Sequence, residues 1–132
     1  MAKRILVVDD EPDIRRLLEG VLCRDGYRVE TACDGREALG VLRRVPVDVV
    51  ISDVSMPDFD GFQLCAALHL DSRFQRIPVI LFTAFTHDKA LVPLRRLDKV
   101  TIVAKGEPLQ VLRETVRAAV NGPRRQTVAV TA

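Results

Sequence analysis

Five short, largely apolar runs punctuate the chain, at about Arg4–Val8, Tyr27–Thr31, Val47–Ser52, Pro78–Phe82 and Val100–Ala104. Between them, apolar residues recur at helical spacing. Ile14, Leu17, Leu18, Val21 and Leu22 fall at i, i+3, i+4, i+7 and i+8, the template of one buried helix face. Strand-length runs separated by helical segments predict βαβ units, and therefore a parallel sheet with right-handed crossovers.

Turn and cap residues mark where the helices begin and end. Pro12 suits the first position of the first helix and Gly26 its stop. Asp34 followed by Glu37 predicts a capping box on the second helix, and Asp60 followed by Gln63 predicts another on the third. A fourth helix over roughly His87 to Leu97 contains Pro93, which should shorten or kink it. The last starts near Pro108, buries Leu109, Leu112, Val116 and Val120, and should end at Asn121-Gly122-Pro123. This gives one domain over residues 1–121 and a tail or start of a linker over residues 122–132.

Polar residues then stand at four predicted strand ends. Asp9-Asp10-Glu11 follows the first strand, Asp53 the third, Thr83-Ala84 the fourth and Lys105 the fifth. Open α/β sheets bind their ligands in the crevice outside the carboxyl ends of the strands. Three carboxylates (Asp9, Asp10 and Asp53), one hydroxyl and one ammonium should converge there.

Composition narrows the picture. The 132 residues and 48% hydrophobic content fit one folded domain. The apolar stretches are far short of the ~20 residues that span a bilayer, and the first strand follows Met1-Ala2-Lys3-Arg4 with no signal-like segment. A cytoplasmic protein that does not bind membranes is the expectation. Cys23, Cys33 and Cys65 have no metal-ligand spacing and read as reduced, mostly buried thiols, with His69 and His87 on the surface. A net charge of +2 is no nucleic-acid footprint. It does make the acidic cluster conspicuous, because like charges held together are costly unless protonated or neutralised, and a divalent cation is the natural remedy.

The combination Asp-Asp-Glu, Asp53-Val-Ser-Met-Pro-Asp-Phe-Asp-Gly61, Thr-Ala and Lys, in order and at successive strand ends, resembles the receiver domain of bacterial two-component response regulators over about residues 3 to 121. The resemblance implies a flavodoxin-like doubly wound fold, with five helices around a five-stranded parallel sheet of order 2-1-3-4-5. It also implies phosphorylation of Asp53 by a sensor histidine kinase or phosphotransfer protein. Mg²⁺ would be held by Asp9 (directly or through water), Asp10, Asp53 and the Ser55 carbonyl. Lys105, the Thr83 hydroxyl and the Ala84 N–H would meet the phosphoryl oxygens. Output would pass to a downstream protein through the face of the fourth helix, fifth strand and fifth helix, carrying Arg95, Arg96, Lys99, Arg113 and Arg117, with no direct nucleic-acid contact.

Each residue taken singly has a plainer reading. Asp9 and Asp10 also suit a helix N-terminus, Asp53 a turn, Thr83 a cap (though Thr86 is better placed) and Lys105 a solvated surface. Asp58 and Asp60 read as turn and N-cap residues.

The chain departs from the family at two positions. Gly106 replaces the proline that usually follows the lysine, so a trans Lys105–Gly106 peptide is expected. Ile102 replaces the usual aromatic residue three positions before the lysine, which removes the ring that swings on activation. A phosphorylation-independent receiver-like adaptor is therefore the alternative function. Turnover of an external substrate is not expected, because Ser55 stands where aspartyl-phosphate hydrolases carry a second acid. Flavin binding is disfavoured because Asp9-Asp10-Glu11 stands where a phosphate loop would. Phe85 would shield an acyl phosphate from water.

Overall fold

The computed structural model describes the backbone of residues 2–131 and the side chains of residues 2–121. The strands are β1 (Arg4–Val8), β2 (Arg28–Ala32), β3 (Val49–Ser52), β4 (Val79–Thr83) and β5 (Val100–Ala104). The helices are α1 (Pro12–Arg24), α2 (Gly35–Arg44), α3 (Gly61–Leu70), α4 (Val92–Arg95) and α5 (Leu109–Thr131), with a 3₁₀ turn, Lys89–Leu91, leading into α4. All strands are parallel, in the expected order β2-β1-β3-β4-β5.

The sheet separates two apolar layers because alternate strand residues point to opposite faces. Ile5, Val7, Val49, Ile51, Ile80 and Phe82 pack with Leu18 and Leu22 of α1 and Leu112 and Val116 of α5. Leu6, Val8, Val50, Val79 and Leu81 pack on the other side with α2, α3 and Leu91. Full burial of each Leu or Ile contributes about 1.5–3 kcal/mol.

Register is what builds the site. Val8 of β1 lies beside Ser52 of β3, and Thr83 of β4 beside Ala104 of β5. The residues that follow, Asp9, Asp53 and Lys105, therefore leave the sheet at one edge. The ladder continues to that edge, with the Asp53 N–H donating to Val8 O at 2.9 Å and the Lys105 N–H to Thr83 O at 2.9 Å.

Several helix ends follow the sequence reading. Pro12 opens α1. Gly26, at φ 94°, closes it in a Schellman motif, with its own N–H on Cys23 O and the Tyr27 N–H on Leu22 O. Asp60 and Gln63 form the expected capping box on α3.

Other expectations are corrected. On α2, Asp34 accepts from the Glu37 N–H, but the Glu37 carboxylate reaches one residue further, to the Cys33 N–H at 3.1 Å, so the box is not closed. Leu17 is 46% exposed, because α1 turns Leu18 and Leu22 to the sheet and Leu17 lies one step around. The fourth helix is cut to four residues, the shortening expected, but Pro93 sits in its first turn instead of interrupting its middle. Asp88, neither Thr83 nor Thr86, caps the turn before it through the Ala90 N–H. Of the cysteines only Cys65 is buried, while Cys33 is half-buried and Cys23 exposed. The last helix runs past Asn121-Gly122-Pro123 to Thr131. Proline removes one N–H and kinks a helix without obliging it to stop.

Arg113 also departs from its expected place on an open basic face. Its guanidinium grips the Asp25 carboxylate at 2.8 and 2.7 Å, joining α5 to the end of α1. Lys99 has its ammonium enclosed without a hydrogen-bond partner, and burial lowers its pKa. Arg95, Arg96 and Arg117 are exposed as expected.

Hydrogen bonds from Arg113 hold the Asp25 carboxyl below its ordinary range against a smaller opposing effect of burial, with the Arg113 and Arg117 charges adding to the lowering. A depressed folded-state pKa contributes stability that is present above the unfolded pKa of about 3.9 and is lost as pH falls through the folded value. Asp25→Asn should melt a few degrees below wild type at pH 7, and the two melting curves should converge in acid below pH about 3.9.

Candidate functional site: an acidic pocket closed by Lys105

Asp9 and Asp53 are buried, at 2% and 7% exposure, while Asp10 and Glu11 stand exposed at the pocket mouth. Oxygens of these four carboxylates lie within 4.8 Å of one another. The countercharge is Lys105, whose Nζ lies 3.1 Å from Asp9 Oδ2, 3.3 Å from Asp53 Oδ2 and 3.6 Å from Glu11 Oε1. No cis peptide occurs among the described residues, so the Lys105–Gly106 bond is trans as expected.

Backbone groups fix both buried acids. Asp53 Oδ1 accepts from the Val54 N–H at 2.7 Å, and Asp9 Oδ1 from the Glu11 N–H at 3.0 Å. The Arg15 guanidinium donates to the Asp9 carbonyl at 2.6 Å. The Ser52 hydroxyl donates to Asp53 O at 2.8 Å. Gly61 approaches so closely that a Cβ there would lie 2.4 Å from Asp53 O. Glycine is needed at this position for space.

Electrostatics follow from the geometry. Burial pushes the Asp53 carboxyl above its ordinary pKa; the Asp9 charge adds to the rise, and Lys105 and the Val54 N–H oppose it. Burial pulls the Lys105 ammonium down, but hydrogen bonds and charges from Asp9 and Asp53 outweigh it and leave its pKa raised. The lysine is therefore a fixed positive charge at neutral pH.

Thr83 is buried at the same sheet edge, and its hydroxyl accepts from the Phe85 N–H at 3.1 Å. Ala84 and Ser55 are exposed. Phe85 is 65% exposed, so in this conformation its ring stands in solvent instead of covering Asp53. The structure thus brings Asp9, Asp10, Asp53 and Lys105 into contact range, with Thr83 at the end of β4 and Ala84 and Ser55 on the loops that follow β4 and β3.

Three contributors were not assigned a role from the sequence. Glu11 is contiguous with Asp9-Asp10, and that adjacency was its signal. Arg15 bonds back across six residues, and Phe82 lies 5.9 Å below the Lys105 ammonium; neither spacing has a sequence signature.

The donor set suits a hard divalent cation: clustered carboxylate oxygens, without sulfur or imidazole. The chain as a whole matches known proteins. A family model described as the response regulator receiver domain fits residues 5–117.

The chain belongs to the response regulator receiver domain family.

This receiver domain is 43% identical over 88 residues to the response regulator GtcR of Aneurinibacillus migulanus, covering 67% of this chain and 35% of that protein. It is 46% identical over 84 residues to the response regulator PleD of Caulobacter vibrioides, covering 64% of this chain and 18% of that one. The receiver domain thus spans about a third or less of these two relatives. Among solved structures it superposes on the chemotaxis protein CheY4 of Vibrio cholerae with TM-score 0.83 at 31% identity, covering 90% of this chain and 99% of the other. It also superposes on TrrA of Thermotoga maritima in complex with Mg²⁺ and BeF, with TM-score 0.75 at 33% identity, covering 89% and 98%. The receiver domain of two-component systems is a regulatory module. No helix among its described residues is long and apolar enough to cross a membrane.

A carboxylate whose folded pKa is raised stabilises the fold when protonated, and that contribution is lost as pH rises through the folded value. In metal-free buffer, Asp53→Asn should therefore melt above wild type at pH 7. The gap should shrink on acidification through the Asp53 folded pKa and close below about pH 3.9. Melting curves at several pH values check the sign.

Proposed function

We propose that this receiver domain accepts a phosphoryl group on Asp53 from a sensor histidine kinase or phosphotransfer protein, and signals through the face of α4, β5 and α5. The observation that carries this reading is the Asp53 carboxylate, buried, bonded to the Val54 N–H and 3.3 Å from the Lys105 ammonium, amid the carboxylates of Asp9 and Asp10. A bound Mg²⁺ would neutralise charge on the phosphoryl oxygens. Asp10, Asp53 and the Ser55 carbonyl would hold it, with Asp9 ligating directly or through water.

The chemistry asked of the protein is positioning and charge neutralisation. An Asp53 oxygen attacks phosphorus, forming an acyl-phosphate P–O bond as the donor's P–N bond breaks and the electron pair leaves with the imidazole. Lys105 turns from the Asp53 carboxylate to a phosphoryl oxygen as a point charge. The Thr83 hydroxyl and the Ala84 N–H donate to the remaining oxygens. In the resting state the Thr83 oxygen accepts from the Phe85 N–H, which leaves its own proton available to a phosphoryl oxygen.

Chemistry of this kind goes no further than self-phosphorylation and hydrolysis of the acyl phosphate; no turnover on an external substrate is assigned. We place residues 1–121 in the receiver domain, residues 122–132 in its C-terminal extension, and the protein in the cytoplasm with its phosphodonors.

Incubation with Mg²⁺ and acetyl phosphate should give a phosphoryl adduct, read by intact-mass spectrometry, that is absent in Asp53→Ala and after chelation. Lys105→Ala should slow adduct formation on the order of a hundredfold, the scale of losing one charge-stabilising donor. A folded wild type that forms no adduct with acetyl phosphate or any other phosphodonor, while its partner binding persists in Asp53→Ala, would replace this reading with the phosphorylation-independent adaptor.

A further inference from the structure

The loop from Asp53 to Asp60 must follow one course if the Ser55 carbonyl is to face the carboxylates. Its α3 end is secured by the Gly61 N–H on Val54 O at 3.0 Å and by the Asp60–Gln63 capping box. Its middle is less protected. Ser55, Pro57 and Asp58 are exposed, while Met56 is inserted in the core and Phe59 packs against it. Asp58 has φ 64°, and the Phe59 N–H folds back to Pro57 O at 2.7 Å. A left-handed aspartate in so tight a turn persists only where its surroundings hold it there.

What holds it belongs to another element. Gly35, the first residue of α2, donates its N–H to Phe59 O at 3.0 Å. The Phe59 ring lies directly against it: a Cβ on Gly35 would meet Cδ1 at 2.1 Å, Cε1 at 2.9 Å and the Phe59 carbonyl oxygen at 2.9 Å. Gly35 does not have a left-handed backbone. Glycine is required here for the close approach of the loop.

We propose that the Gly35–Phe59 contact is a positioning device for the phosphorylation site: the start of α2 sets the path of residues 54–59, and through it the aim of the Ser55 carbonyl and the affinity for the divalent cation. The inference rests on the Ser55 carbonyl being a ligand. Ser55 would ligate through its backbone, so nothing orients that oxygen except the course of the loop. Loss of groups that orient a metal's ligands changes its affinity about 10–100-fold, and the Gly35–Phe59 contact acts on Ser55 through the intervening loop.

The test is a Mg²⁺ titration of the full chain, followed by backbone amide NMR shifts around Val54 and Ser55, on wild type, Gly35→Ala, Phe59→Ala and the double variant. Thermal melting is recorded for each. Gly35→Ala should raise the Mg²⁺ Kd about tenfold. Phe59→Ala leaves both backbone partners in place and should fall between wild type and Gly35→Ala. The double variant should recover part of the loss, because the ring no longer collides although the carbonyl still does. Unchanged Kd values in both single variants, with only melting temperature lowered, would reduce the contact to packing and overturn the proposal. Should Gly35→Ala fail to fold, an unchanged Kd in Phe59→Ala overturns it. A wild type that binds no Mg²⁺ sinks the metal reading itself, and the proposal with it, which separates the two failures.

Discussion

Carboxylates forced together in a half-dry crevice repel one another, and the repulsion grows as water is excluded. Parallel register forces this here. Once Val8 pairs with Ser52, Asp9 and Asp53 must leave the sheet side by side. Lys105, delivered by the pairing of β4 with β5, makes the arrangement tolerable, with its ammonium within 3.3 Å of both buried acids. The twofold alternation of the strands supplies the remaining requirement. Successive residues of β1, β3 and β4 bury alternately into two apolar layers, so the sheet is packed on both faces close to where the charges begin.

Much of this was legible in the sequence for a physical reason. A parallel strand covered on both faces must be apolar almost throughout, so it stands out, and whatever polar residue follows it stands out too. Asp9, Asp53, Thr83 and Lys105 were found that way, and strand order followed from the resemblance those residues carried. Strand limits moved by a residue or two, as for β2, where Ala32 extends the pairing.

Interactions without a local pattern were not legible. Arg113 and Asp25 are 88 residues apart, and no spacing joins them. The i, i+4 template gave Leu17 the same weight as Leu18, because periodicity defines a stripe and the neighbours decide how much of it is covered. Pro93 was read as an interruption inside a helix when the helix begins there. Glu37 chose the Cys33 N–H over the nearer cap position, a choice settled by the backbone course before α2. Gly35 was legible only as part of a helix start; that a phenylalanine from another loop lies across it is a tertiary fact.

Gly106 has a consequence of a different kind. Proline would stiffen the chain beside Lys105 by covalent means; glycine leaves the lysine with no steric reason to stay where it is. Its backbone is tied to Thr83 O, and its ammonium is placed by three carboxylate oxygens and the face of Phe82. The pocket therefore behaves like a latch held by a magnet instead of a bolt: indifferent to small mechanical displacements, yet responsive to any arrival that alters the local balance of charge.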